Sequence, residues 1–70
     1  MVVVKDGYEM LALVNRGDNH FDAIIDRKSK FQPFVVCLNY DITDGTWGQG
    51  AYFEKYEHAK NYLANWIKTE

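Results

Sequence analysis

The sequence is poor in the residues that usually announce chemistry. Cysteine occurs once, at Cys37, so the chain can build neither an internal disulfide nor a thiolate metal cluster. That thiol sits in the apolar run Phe34-Val35-Val36-Cys37-Leu38, where a free cysteine behaves as a small hydrophobe. The two histidines, His20 and His58, stand in no paired-ligand spacing. No metal and no cofactor are expected. A basic excess is also missing: 8 Lys and Arg face 10 Asp and Glu, for a net charge of −2. Phosphate neutralisation supplies most nonspecific nucleic-acid affinity, so charge gives such binding no support. Long hydrophobic runs are absent as well. Met1-Val2-Val3-Val4 is broken at once by Lys5-Asp6-Gly7, too short for a secretion signal or a membrane span. The expectation is a cytoplasmic protein with no membrane partner.

What is present suits one small core. The chain has 70 residues, no repeats and no linker, so residues 1–70 read as a single domain. A domain of this size buries only about 60% of its unfolded surface. Hydrophobic residues at 47% and aromatics at 16% compensate, because large rings bury much area per residue.

The clearest element is a helix over roughly Lys55 to Lys68. Tyr56, Ala59, Tyr62, Leu63, Trp66 and Ile67 recur at spacings of three and four and share one face. Glu57 in the first turn and Lys68 in the last complement the helix dipole. Before it lies a hairpin, Phe34 to Ile42 and Thr46 to Phe53, joined through Asp44-Gly45, a strong tight-turn signal. A two-residue turn there sets Ile42 opposite Trp47, Tyr40 opposite Gln49, Leu38 opposite Ala51 and Val36 opposite Phe53. These pairs form a mostly apolar face for the helix. Cys37, Asn39, Asp41, Gly48, Gly50 and Tyr52 fall on the other, more polar face.

The front half is more open. Val2-Val3-Val4 and Tyr8 to Val14 flank Asp6-Gly7 and suggest a second hairpin. Phe21 to Asp26 alternates as a strand does, yet Phe21, Ile24 and Ile25 also fit a helical stripe. A turn at Arg16-Gly17-Asp18-Asn19 favours the strand. The predicted fold class is α+β: an antiparallel β-meander of three to five short strands with one C-terminal α-helix packed on one face.

Several motifs dissolve on inspection. Asp18, His20 and Asp22 imitate the start of an EF-hand loop, but Ala23 replaces the required glycine and Ser29 the bidentate glutamate. Arg16-Gly17-Asp18 spells an integrin tripeptide in a chain with no sign of secretion. Arg27, Lys28 and Lys30 follow Asp22 and Asp26 and read as a solvated turn. Trp47-Gly48-Gln49-Gly50 is the unusual segment, since glycines inside a strand mark a bulge, a twist or a close backbone approach. Either the glycines make room for rings such as Trp47 or Tyr52, or they open a shallow groove bordered by Asn39, Asp41 and Tyr52. The first reading is favoured.

The string Phe34-Val35-Val36, Asn39-Tyr40-Asp41 and Gly45-Thr46-Trp47-Gly48-Gln49-Gly50-Ala51-Tyr52-Phe53, followed by a helix containing Ala59, resembles small domains of unknown function. Those domains belong to conjugative transposons and phages of Gram-positive gut bacteria. The resemblance covers the second half of the chain and implies an accessory protein of a bacterial mobile element. It brings no activity, ligand or catalytic residue with it. Ala51 stands where that family pattern suggests a larger polar residue.

With no catalytic constellation, the expectation is a non-enzymatic protein-binding or adaptor module. Not all 11 aromatic residues, the sum of two Trp, five Tyr and four Phe, fit inside so small a core, and interfaces are rich in Trp and Tyr. Tyr52, Tyr8 and one of Tyr40 or Trp47 are the candidate exposed anchors, with Asn39, Asp41, Gly48 and Gly50 beside them. Self-association is an equal candidate, because an uncovered face or edge strand invites pairing. The alternative is an accessory protein for single-stranded nucleic acid, with rings stacking on bases against the acidic balance.

Overall fold

The computed structural model describes residues 3–69. Four strands and one helix follow in chain order: β1 (Glu9–Gly17), β2 (His20–Asp26), β3 (Phe34–Asp41), β4 (Thr46–Phe53) and α1 (Tyr56–Thr69). The strands form one antiparallel sheet in the order β1-β2-β3-β4. Helix α1 packs against β2, β3 and β4. This is the α+β meander with a C-terminal helix that the sequence predicts.

Each connection follows from its residues. Asp18 and Asn19 join β1 to β2 with φ of 51° and 64°, the left-handed geometry that a two-residue hairpin turn demands and that these residue types tolerate. Residues 20–26 form a strand because both of their faces find apolar cover. Ile24 looks toward the helix, while Ala23 and Ile25 join a second cluster on the far side. A helix there would have wasted one of those faces. The loop from β2 to β3 is tied by Arg27, whose N–H donates to the Pro33 carbonyl at 2.8 Å and whose guanidinium donates to Phe31 and Gln32 carbonyls.

The sheet therefore carries a core on each side. Beneath α1 lie Ile24, Val36 and Leu38, covered by Ala59 and Leu63. On the far side Ala23, Ile25, Val35, Cys37 and Tyr40 are buried under Tyr8, Met10, Phe21, Ile42 and Trp47. Two-sided burial explains why β2 and β3 read as near-continuous apolar runs. Each fully buried Ile or Val contributes about 1.5–3 kcal/mol. Among the described residues no helix is long and apolar enough to cross a membrane.

Three expectations need correction. The β3–β4 connection is not a two-residue turn. Asp41 pairs with Thr46, Tyr40 with Trp47, Leu38 with Gln49 and Val36 with Ala51, so residues 42–45 form the loop and the register moves by two. Gly45 donates its N–H to the Asp41 carbonyl at 2.8 Å and sits at φ 75° with its missing Cβ only 3.0 Å from the Val3 carbonyl oxygen. The glycine is needed at the loop's end rather than at a hairpin corner. Second, Tyr40, Ile42 and Trp47 do not face the helix; they belong to the far-side cluster. Third, residues 3–5 form no strand, and Val2 lies outside the described residues. Val3 instead donates its N–H to the Ile42 carbonyl at 2.8 Å and accepts the Tyr40 hydroxyl at 2.7 Å.

Candidate interaction surface

The second correction has a local cause. Asn39 adopts φ 57°, which turns β3 over. Val36 and Leu38 face the helix, whereas Tyr40 two residues on faces away. β4 turns with it across Gly48, so Trp47 follows Tyr40 to the far side while Ala51 and Phe53 stay with the helix. The Asn39 N–H donates to the carboxylate of Asp22 at 3.2 Å. Asp22 is only 3% exposed, and its other oxygen accepts Arg16 Nη1 at 2.6 Å. Arg16 reaches it because the β1–β2 register shifts between Asn15 and Gly17, and such bulges re-aim a side chain. A buried carboxylate is tolerable only when paired and hydrogen-bonded, and Asp22 is both. The sequence does not show this three-strand latch: there Arg16 reads as part of a turn and Asp22 as a polar position of an alternating strand.

The predicted site residues scatter into three places. Tyr8, Trp47 and Tyr40 form a ring layer on the far face, with centroids 6.5 and 6.3 Å apart and Lys5 Nζ 5.5 Å from the Trp47 ring. Tyr40 is buried, and Tyr8 and Trp47 are half-buried, so this layer is mostly core. Trp47 explains Gly50: a Cβ there would lie 3.0 Å from the indole Nε1. The ring occupies the space, and no groove opens at Gly50.

Asn39 and Asp41 instead border a cleft of about 510 Å³ at the end of the sheet, together with Asn19, His20 and Thr43. Tyr52 stands apart from both. It is 42% exposed, and the Arg27 guanidinium lies 4.8 Å over its ring. Gly48 is exposed, and a Cβ there would meet Asn39 Cβ at 3.7 Å.

Tyr52 and Gly48 share a feature that the sequence only hinted at. β4 is an edge strand, and its eight residues, Thr-Trp-Gly-Gln-Gly-Ala-Tyr-Phe, contain no charge and no proline. An edge strand presents unpaired N–H and C=O groups, and proteins usually protect such edges with charges, proline or bulges. β1, the opposite edge, has these guards: Glu9, Arg16 and two register shifts. β4 has none of them. Phe53 at its end packs on Tyr62 of α1 with centroids 5.4 Å apart, and Tyr62 is 39% exposed. Uncharged backbone edge and exposed ring surface are thus contiguous.

The electrostatics elsewhere are quiet. Lys28 is held by Glu9 at 2.7 Å and Asp26 at 3.5 Å, the Glu9 hydrogen bond being the main reason its pKa rises above that of a free lysine. Arg27 is spent on its loop and on Tyr52. Arg27 and Lys28, two of the three basic residues of this turn, therefore have their charges engaged at home. Burial pushes the Cys37 thiol up to about 12, which removes the thiolate that a nucleophile or metal ligand requires. Among the described residues no group of three or more His, Cys, Asp or Glu is placed to hold a metal ion. No family model, curated protein or solved structure matches the chain, so its own geometry carries the functional argument.

Proposed function

We propose that this chain is a non-enzymatic protein-binding module that takes a partner strand on the free edge of β4, as an accessory protein of a bacterial mobile element. The observation that carries the reading is the contrast between its two sheet edges. β1 is charged and bulged, while β4 is uncharged and bordered by the exposed rings of Tyr52 and Tyr62. In strand addition, main-chain hydrogen bonds supply affinity and flanking side chains supply selectivity. The mobile-element context is supported by the motif resemblance in the second half of the chain.

The test is capture of cross-linked partners from the host with the wild-type chain and with Gln49→Lys, an edge charge that weakens strand addition. A partner retained by the wild type and lost by the variant supports the reading. Equal capture by both rejects it. A labelled oligonucleotide at low salt serves as control, where electrostatic binding is strongest; tight binding there would transfer the argument to nucleic acid.

A further inference from the structure

We propose that the partner strand is supplied by a second copy of this chain, β4 pairing antiparallel with β4 of its twin about a two-fold axis at Gly50. The proposal rests on the strand-addition reading and adds the occupant and the register.

Symmetry narrows the choice sharply. Hydrogen-bonded and non-hydrogen-bonded pairs alternate along an antiparallel ladder, and a two-fold axis must map each pair onto one of its own kind. The axis can therefore pass only where a residue meets its own copy. Centring it on Gly50 sets Tyr52 directly across from Gly48 of the twin, twice. An exposed ring beside an exposed glycine is then matched by its complement, since an aromatic side chain can lie over a cross-strand glycine and shield its backbone. Gln49 meets Ala51 of the twin in the same register. Centring on Gln49 instead would set Tyr52 against Thr46 and leave both glycines facing each other.

The ends of the strand agree with this placement. β4 is preceded by Asp44 and followed by Glu54 and Lys55. Counted on in the Gly50 register, Glu54 falls opposite Thr46 of the twin and Lys55 opposite Gly45, so the charges flanking β4 lie outside the strand and none stands directly opposite another. No like charges oppose each other along the seven β4 positions that pair with one another, Trp47 to Phe53, because β4 has no charges. The helix lies on the side of β4 where Phe53 and Tyr62 are packed, so two such ring pairs flank the joined strands and add apolar area to the main-chain bonds.

Sedimentation and light scattering over a concentration series test the pairing. The expected result is a reversible rise from 8.2 kDa toward twice that mass. Gln49→Lys should raise the dissociation constant by about tenfold or more, equivalent to about 1.4 kcal/mol, with an unchanged circular dichroism spectrum and, at concentrations where both chains are monomeric, an unchanged melting temperature. The register has its own test. In Gln49→Cys/Ala51→Cys, both beyond the reversal at Gly48, the thiols of the two copies face each other at about 4.5–5.5 Å between Cα atoms, within disulfide reach, and oxidation should give a covalent dimer. Gln49→Cys alone should not cross-link, because its copies sit diagonally at about 7–8 Å. A chain that stays at 8.2 kDa at millimolar concentration, or a dimer indifferent to Gln49→Lys, overturns self-pairing. Cross-linking through Gln49→Cys alone overturns the register. The broader strand-addition reading is judged separately, by whether a different host partner is lost with Gln49→Lys.

Discussion

Removing the Asp22 carboxylate should cost more stability than any other single charge change in this chain. Asp22 is 3% exposed and satisfies two groups at once, the Asn39 amide at 3.2 Å and Arg16 Nη1 at 2.6 Å. In Asp22→Ala the amide loses its acceptor, worth about 1–3 kcal/mol when buried. Breaking a buried ion pair by deleting one partner costs about 3–5 kcal/mol. Arg16 keeps 17% of its side-chain surface exposed and has a further interaction, so the lower end applies, and the two effects share one carboxylate. The expected loss is about 3 kcal/mol. Asp22→Asn keeps an acceptor for Asn39 but cannot neutralise Arg16, and should lose about 1.5 kcal/mol. A chain of this length has only about 3.5–10 kcal/mol in total. Urea titration followed by circular dichroism reads the difference directly. With a slope near 1 kcal/mol per molar, Asp22→Ala moves the midpoint down by about 3 M. A loss below about 1 kcal/mol, or equal losses for Ala and Asn, would refute the latch as described.

Two other predictions concern the loop glycine and the buried thiol. Gly45→Ala should destabilise by about 2 kcal/mol, because φ is 75° and the new Cβ meets the Val3 carbonyl oxygen at 3.0 Å. Gly17→Ala, at φ 90° with nothing within 4 Å, should lose only about 1 kcal/mol. Equal losses in urea titrations would show that the Val3 contact is immaterial. Alkaline pH should destabilise the fold. Burial raises the Cys37 thiol from 9.0 to about 12, so above pH 9 the unfolded chain ionises while the folded chain holds its proton. Stability is full below pH 9 and falls steadily toward pH 12. Burial raises the Tyr40 phenol as well, with the same sign. Urea midpoints at pH 8 and pH 10.5 should therefore differ, and Cys37→Ala should show a shallower decline; an identical slope in the variant would remove Cys37 as the cause.

The sequence revealed the helix best, because six residues at three- and four-residue spacing leave little choice of face. Ala59 and Leu63 are buried as that pattern requires. It also separated Leu38, buried, from Asn39, exposed, since a register error of two leaves side-chain parity intact. The error itself came from Asp44-Gly45, which signals a tight turn but here ends a four-residue loop. What escaped detection depends on one dihedral angle. Asn39 tolerates a left-handed backbone, yet nothing nearby says that it must adopt one, so alternation alone places Tyr40 and Trp47 on the wrong side. The Arg16–Asp22 pair escaped for a related reason. A charged residue in an alternating strand reads as solvated until a bulge brings its counter-ion over it. Among the candidate site residues, Tyr52 and Gly48 stand out in the sequence by type alone. Their shared place on an unguarded edge became visible only once the strand order was known.

The reversal at Asn39 has an evolutionary corollary. A sheet flipped partway along two strands supplies separate linings to separate compartments, so mutations should accumulate in two independent sets. Changes at Leu63 would be accommodated by Ile24 and Val36, and changes at Trp47 by Gly50 and Val35. Asn39 and Asp22 belong to neither set and to both, and should be the last positions to drift.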